Sequence, residues 1–114
     1  MDGDHSIMRK RITFYSKLYI GERAQKKSRQ IIWRLKCHAG TVDTYVLMLP
    51  DRDDAQLEIM DAAYLKQDYY KWNPPYIVGI AIGRAEADEL MKQIVDEVYQ
   101  KTGFVDIRSF LLNQ

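Results

Sequence analysis

The feature that most constrains the fold is an apolar run, Tyr76–Ile82, that leads directly into a helical pattern. This run, YIVGIAI, is rich in β-branched residues and stands between prolines and a glycine, which is typical of a central strand buried on both faces. From Arg84 onward, apolar residues recur with the spacing of one helical face. They are Ala87, Leu90, Met91, Ile94, Val95 and Val98. The sequence therefore predicts a buried strand and then an amphipathic helix over Arg84–Lys101, with Gly103 as the left-handed residue after its end.

Two glycines at this junction raise the question of a phosphate-binding loop. A nucleotide cradle places several glycines between strand and helix, so that backbone N–H groups surround the phosphate. Here Gly79 lies inside the strand pattern, and Gly83 alone forms the connection. We therefore predict a tight turn, with Gly83 as the N-cap and Gly79 allowing close approach of the helix or of a neighbouring strand. An anion held at the helix start by Gly83 and Arg84 is the alternative.

A second strand pair is predicted upstream. In QIIWRLKC (30–37), Ile31, Trp33, Leu35 and Cys37 alternate with their neighbours at the period of a half-buried strand. TVDTYVLML (41–49) is rich in β-branched and aromatic residues. With Gly40 between the two runs, the pattern predicts a β-hairpin.

Shorter patterns complete the predicted fold. AQLEIMDA (55–62) suggests a third strand, and AAYLKQDYY (62–70) a short helix that ends before the prolines. FVDI (104–107) suggests an edge strand, whereas FYSKLYI (14–20) fits either a helix or a strand.

The net charge of +1 is unevenly distributed. Residues 1–38 carry ten Lys and Arg against three acids, and residues 39–114 carry seven against thirteen. The basic part is typical of a polyanion-binding surface, and it equally fits neutralisation within the fold or across a homo-oligomer. The candidate polyanion surface comprises Arg23, Lys26, Lys27, Arg29, Arg34 and Lys36. On a strand Trp33 would point away from Arg34 and Lys36, so no stacking platform for bases is predicted beside these charges.

The segment DYYKWNPPY (68–76) combines four aromatic residues with two prolines. Tyr and Trp commonly anchor protein interfaces, and the alternative is that they close one end of the core. The candidate partner surface comprises Tyr69, Tyr70, Trp72 and Tyr76.

Residues suited to catalysis or metal binding are few. Cys37 and His38 are neighbours on the predicted strand and would point to opposite faces, so Cys37 is interpreted as a core residue. The acidic loop with Asp51, Asp53 and Asp54 departs from a calcium-binding loop at three positions. We therefore predict no cofactor and no metal site, and we favour a non-catalytic protein while catalysis stays an open alternative. The single cysteine and the lack of a signal peptide or a long apolar run predict a cytoplasmic protein without a membrane span.

Three segments, LEI (57–59), YIVGIAIGRAEADELMKQIVDEVYQKTG (76–103) and DIR (106–108), resemble a group of small proteins of anaerobic Gram-positive bacteria. The resemblance covers residues 18–112 and implies no particular activity.

Together these patterns predict a flexible tail over residues 1–12 and one α+β domain over residues 13–114. We expect a mainly antiparallel sheet of four or five strands, with one long helix packed across it and one or two short helices. The predicted function is a non-catalytic regulatory or protein-interaction module that forms a homodimer. Two alternatives stay open: nucleic-acid binding through residues 23–36, and small-molecule binding or catalysis in a pocket between helix and sheet.

Overall fold

The computed structural model describes residues 11–50, 52 and 56–113, and these form a four-stranded sheet with helices on both faces. The strands are β1 (Thr13–Ile20), β2 (Thr44–Leu49), β3 (Glu58–Asp61) and β4 (Tyr76–Ile82). The α-helices are α1 (Ser28–Lys36), α2 (Asp68–Trp72), α3 (Arg84–Thr102) and α4 (Ile107–Leu112), and 3-10 helical turns span Gln25–Lys27 and Ala62–Lys66. The α+β class and the long helix are therefore confirmed.

β4 is an inner strand of the sheet, and its residues from Ile77 to Ala81 are buried, as predicted for a strand covered on both faces. β1 pairs with it in parallel on one side, and β2 pairs antiparallel on the other. The strand order is β1–β4–β2–β3. The sheet is thus mixed rather than purely antiparallel, because strand direction depends on how the connections cross over the sheet, which no local pattern records.

One face of the sheet is covered by α3 and α4. Four of the six residues of the predicted apolar stripe of α3 are buried there and pack with Leu47 of β2 and Val78 of β4, and Met91 and Val95 pack against this cluster at partly buried positions. Ile94 and Val98 are completely buried. Burial of side chains of this size contributes about 1.5–3 kcal/mol each to folding, so this helix supplies much of the core.

The opposite face is covered by α1, the second 3-10 turn and α2. Ile31 and Leu35 of α1 belong to one buried cluster with Val46 of β2 and Ile80 of β4. Parallel strand pairs occur mainly where both faces of the sheet are covered. The helices on the two faces cover β4 fully, and they cover β1 only in part.

The predicted hairpin strand over residues 31–37 is wrong, because this segment forms α1 and the short turn after it. Ile31 and Leu35 are buried, whereas Trp33 is 61% exposed and Cys37 is exposed. Ile31 and Leu35 are four residues apart, a spacing that fits one face of a helix as well as it fits the alternation of a strand. The interpretation of Cys37 as a core residue fails for the same reason.

α1 ends in a Schellman motif at His38 rather than in a hairpin turn at Gly40. The His38 N–H donates to the Leu35 carbonyl at 3.2 Å, and the Ala39 N–H donates to the Arg34 carbonyl at 2.9 Å. His38 has a left-handed φ of 56°, at the position that glycine commonly takes. The helix thus ends without a glycine, and Gly40 was a misleading turn signal.

Two of the three remaining segments form strands. FYSKLYI lies in β1, and the third strand occupies Glu58–Asp61. Residues 104–107 do not form the predicted edge strand, because Asp106 caps α4 and its carboxylate accepts the Ser109 N–H at 3.2 Å. This hydrogen bond, with a smaller contribution from Gln56, lowers the pKa of Asp106.

Two sequence interpretations fall mainly outside the described residues. They concern residues 1–10 of the predicted tail and the acidic loop residues Asp51, Asp53 and Asp54. Ile12, at the end of the predicted tail, is only 8% exposed and belongs to the core cluster under α1.

The turn from β4 into α3 is tight, as predicted. Gly83 is the N-cap, with φ 87° and ψ 147°, a conformation open essentially to glycine alone. A Cβ on Gly79 would lie 3.1 Å from Leu90 Cδ2 and 3.3 Å from the Tyr19 carbonyl oxygen, which confirms the close approach of both α3 and β1. α3 ends at Gly103, whose φ of 79° is left-handed, again as predicted.

Candidate anion-binding surface

The six cations of the candidate polyanion surface lie in one short stretch, from the end of β1 to the end of α1. Arg23 precedes the first 3-10 turn, Lys26 and Lys27 lie in that turn, and the other three lie on α1. Within the part of the chain that the structure describes, none of the six forms a salt bridge. Their charges are therefore available to an anionic ligand.

The three cations of α1 lie on two different faces of the helix. Arg29, Trp33 and Lys36 follow one another at i, i+4 and i+7 and are all exposed. Side chains with this spacing are neighbours, about 5–6 Å apart at their Cβ atoms. Lys36 Nζ also lies 5.7 Å from the ring centroid of Phe14, in a cation–π contact. The prediction that Trp33 points away from Lys36 is thus wrong, because it assumed a strand. We call these three residues the outer face of α1.

The inner edge of α1 lies against a cavity of about 410 Å³, which we call the basic cavity. Lys27 and Arg34 line it together with Arg23. The other walls are the loop of residues 40–44, which contributes Asp43, and the end of β4. The structure therefore brings half of the predicted cations together around one pocket that is open to solvent on one side.

The four aromatic residues of the candidate partner surface do not form one patch. Tyr69 and Trp72 of α2 are 64% and 45% exposed. Tyr70 packs against the core cluster under α1, with its ring edge-on to Tyr69 and the centroids 5.0 Å apart. Tyr76 packs against the cluster under α3, with its centroid 6.4 Å from that of Tyr15. The well-exposed part of the set is confined to Tyr69 and Trp72.

Beside α3, Tyr15 and Tyr19 lie near the carboxylate of Glu97, and Tyr76 lies edge-on to Tyr15. The rings of Tyr15 and Tyr19 stack with centroids 5.9 Å apart, and the Tyr19 hydroxyl donates to Glu97 Oε2 at 2.7 Å. Burial, followed by this hydrogen bond, raises the pKa of Tyr19 far above its ordinary value. Burial also raises the pKa of Tyr15 and of Tyr76. These phenols are therefore protonated at neutral pH and contribute packing and one hydrogen bond.

At the start of α3, the position predicted for an anion on Gly83 and Arg84, the protein's own side chains make the contacts. Arg84 Nε donates to Asp88 Oδ1 at 3.1 Å on the exposed surface. Glu86 points back towards the sheet. Its carboxylate accepts three backbone N–H hydrogen bonds, from Arg23 at 2.6 Å, Ala24 at 3.2 Å and Ile82 at 2.9 Å. A carboxylate thus fills the group of backbone donors nearest to this turn.

Sequence patterns do not reveal the roles of Glu86 and Asp43. An acid in the first turn of a helix, such as Glu86, is expected only to favour the helix dipole. Asp43 has a left-handed φ of 53°, and its carbonyl accepts the Gly83 N–H at 2.7 Å. The available signal was the tolerance of aspartate for left-handed backbone, which the strand prediction over residues 41–49 concealed.

Within the described ranges, no group of three or more His, Cys, Asp and Glu side chains is arranged to hold a metal ion. None of the helices described there is long and apolar enough to cross a bilayer. Comparisons of the chain with protein-family models, with curated proteins and with solved structures gave no match. The function is therefore argued from the surface itself, and the resemblance to proteins of anaerobic Gram-positive bacteria stays a prediction.

Proposed function

We propose that the protein binds single-stranded nucleic acid through the outer face of α1. The proposal rests on the exposed indole of Trp33, which lies between Arg29 and Lys36 on one helical face. Proteins that bind single strands combine cations that follow the phosphates with aromatic side chains on which the bases stack. This face supplies both kinds of group.

The charge distribution around the outer face supports the same function. No acidic residue occurs between residues 23 and 42, which include all six candidate cations. α3, which carries five acids against three cations, covers the other face of the sheet. The charge asymmetry along the sequence is therefore an asymmetry between two sides of the fold, and it would steer an anionic strand towards α1.

Self-association of two copies through α2 is the second candidate function. It is supported by Tyr69 and Trp72, two large aromatic side chains on one short helix that are 64% and 45% exposed. Aromatic residues of this kind often contribute most of the binding energy in protein interfaces.

Fluorescence anisotropy with an end-labelled oligothymidylate of about twelve nucleotides tests the single-strand proposal. We expect Trp33→Ala to weaken binding about tenfold, because the stacking of one base on an aromatic ring contributes about 1–3 kcal/mol. Binding is also expected to weaken with salt, since each neutralised phosphate of a single strand adds about −0.7 to the slope of log K against log salt.

Tyr99→Ala is the matched control for this experiment. Tyr99 is 55% exposed but lies on α3, on the other side of the sheet, so its loss should leave the affinity unchanged. Equal affinities of Trp33→Ala and the wild type, or binding that is insensitive to salt, would rule the proposal out.

A further inference from the structure

The basic cavity is a site distinct from the outer face of α1. Its volume of about 410 Å³ lies within the range of small-ligand sites. It is bounded by α1, by the loop of residues 40–44 and by Ile82, the last residue of β4. The cavity lies at the carboxyl end of β4, which pairs in parallel with β1, and in open parallel sheets ligands commonly bind at this end of the strands. The position and the size both suit a small molecule or the end of a larger one.

The charges around the cavity favour an anionic ligand. Arg23, Lys27 and Arg34 face a single carboxylate, that of Asp43, which leaves an excess of two positive charges. Arg23 Nη1 and Asp43 Oδ2 lie 3.4 Å and 3.7 Å from the place that a Cβ would take on Gly83, so both groups flank the start of α3. A phosphate monoester carries about 1.5–2 negative charges at neutral pH. Guanidinium groups bind such phosphates through paired hydrogen bonds.

Asp43 argues for a ligand with an uncharged organic part. A carboxylate repels the additional charges of a polyphosphate, and it accepts hydrogen bonds from hydroxyl groups. Gln30 and Thr41 also line the cavity, and their side chains add both hydrogen-bond donors and acceptors. A sugar bearing one phosphate satisfies these groups together.

The loop wall of the cavity is held in place by the protein itself. Arg34 Nη1 donates to the Gly40 carbonyl at 3.0 Å, and the Gly83 N–H donates to the Asp43 carbonyl at 2.7 Å. Asp43 is kept at a φ of 53°, which costs energy in a residue other than glycine. A wall ordered in advance lowers the entropic cost of binding.

We propose that the basic cavity binds a phosphate monoester of a hydroxyl-bearing molecule. A free nucleoside monophosphate and the phosphorylated end of a nucleic-acid strand both present this chemistry. The inference depends on the cavity alone and does not require stacking on Trp33.

Calorimetric titration with adenosine monophosphate tests the proposal, with inorganic phosphate and adenosine as comparison probes. We expect saturable one-site binding of the monophosphate, tighter than that of phosphate, and none of adenosine. Lys27→Gln should weaken binding about tenfold, the usual effect of losing one charge-assisted hydrogen bond. Lys26→Gln is the matched control, because this neighbouring lysine has the same charge but does not line the cavity. The affinity of Lys26→Gln for adenosine monophosphate should stay within about twofold of that of the wild type.

The outcomes separate the site from general electrostatic attraction. Equal losses in the two lysine variants, or no saturable binding of the monophosphate, would overturn the proposal. Trp33→Ala should bind adenosine monophosphate like the wild type, so the cavity can be verified even if the single-strand function fails.

Competition distinguishes the two sources of the ligand. If a strand end is bound, a 5′-phosphorylated oligothymidylate displaces adenosine monophosphate better than its 5′-hydroxyl counterpart does. If both oligonucleotides fail to displace it, the free monophosphate is the ligand. Either result supports the phosphate site.

Discussion

The carboxylate of Glu86 accepts a hydrogen bond from the backbone N–H of Arg23, with 2.6 Å between Oε1 and the nitrogen. Two further N–H groups, those of Ala24 and Ile82, donate to the same carboxylate. Gly21 leaves room for it, because a Cβ at that position would collide with the Glu86 side chain. The contact joins the first turn of α3 to the segment after β1. It therefore also positions the backbone from which Arg23 reaches the basic cavity.

Glu86→Ala is expected to reduce the free energy of unfolding by about 1–3 kcal/mol, because it leaves partly buried N–H groups without an acceptor. Urea denaturation measures the change. Glu89→Ala is the control, since Glu89 is exposed on the same helix and should change stability by no more than about 0.5 kcal/mol. A Glu86→Ala variant as stable as the wild type would show that the contact is dispensable.

Gly83→Ala should destabilise the protein by about 1–3 kcal/mol, since its backbone conformation is strained for any residue with a Cβ. Thermal or chemical denaturation provides the measurement. Gly40→Ala serves as the comparison, because a Cβ there would meet only Lys66 Nζ, at 3.8 Å. Similar losses in both variants would mean that backbone strain at Gly83 is not the cause.

The raised pKa of Tyr19 predicts a loss of stability in alkaline solution. An unfolded tyrosine loses its proton near pH 10, whereas burial and Glu97 hold the folded pKa above that value. Above about pH 10 the folded state therefore binds more protons than the unfolded state, so the free energy of unfolding falls as pH rises. The urea concentration at the midpoint of unfolding, measured from about pH 8 to 11, should therefore decrease as the pH rises.

Tyr19→Phe should make that alkaline decline shallower. Tyr15 and Tyr76, whose pKa values are also raised, should keep part of it. Tyr64→Phe removes an exposed hydroxyl as a control and should leave the slope unchanged. An identical slope in Tyr19→Phe and the wild type would contradict the assignment.

Self-association through α2 predicts that Trp72→Glu abolishes dimer formation, because a charge placed in an aromatic interface is not paired. Light scattering over a range of protein concentrations reports the mass. Trp33→Glu introduces the same charge on α1 and should leave the dimer intact. A monomeric wild type at every concentration would eliminate this candidate.

Sequence patterns predicted α3 and β4 because both patterns are unambiguous. α3 repeats its apolar residues at helical spacing from Ala87 to Val98, and β4 is a β-branched run bounded by Pro75 and Gly83. The residues of α1 could not be assigned in the same way, because Ile31 and Leu35 satisfy the helical and the strand period equally. For the candidate site, composition identified the cations but could not determine which of them share a face.

The sequence by itself determined the buried strand β4, the helix α3 with its left-handed end, and the cationic stretch of residues 23–36. Each of these depends on local periodicity, backbone preference or composition. Only the tertiary structure decided that β1 pairs in parallel with β4 and that residues 28–36 are helical, because both depend on contacts between distant parts of the chain. Coverage of the second sheet face by Ile31 and Leu35 selects the helix, and the helix in turn brings Trp33 between Arg29 and Lys36.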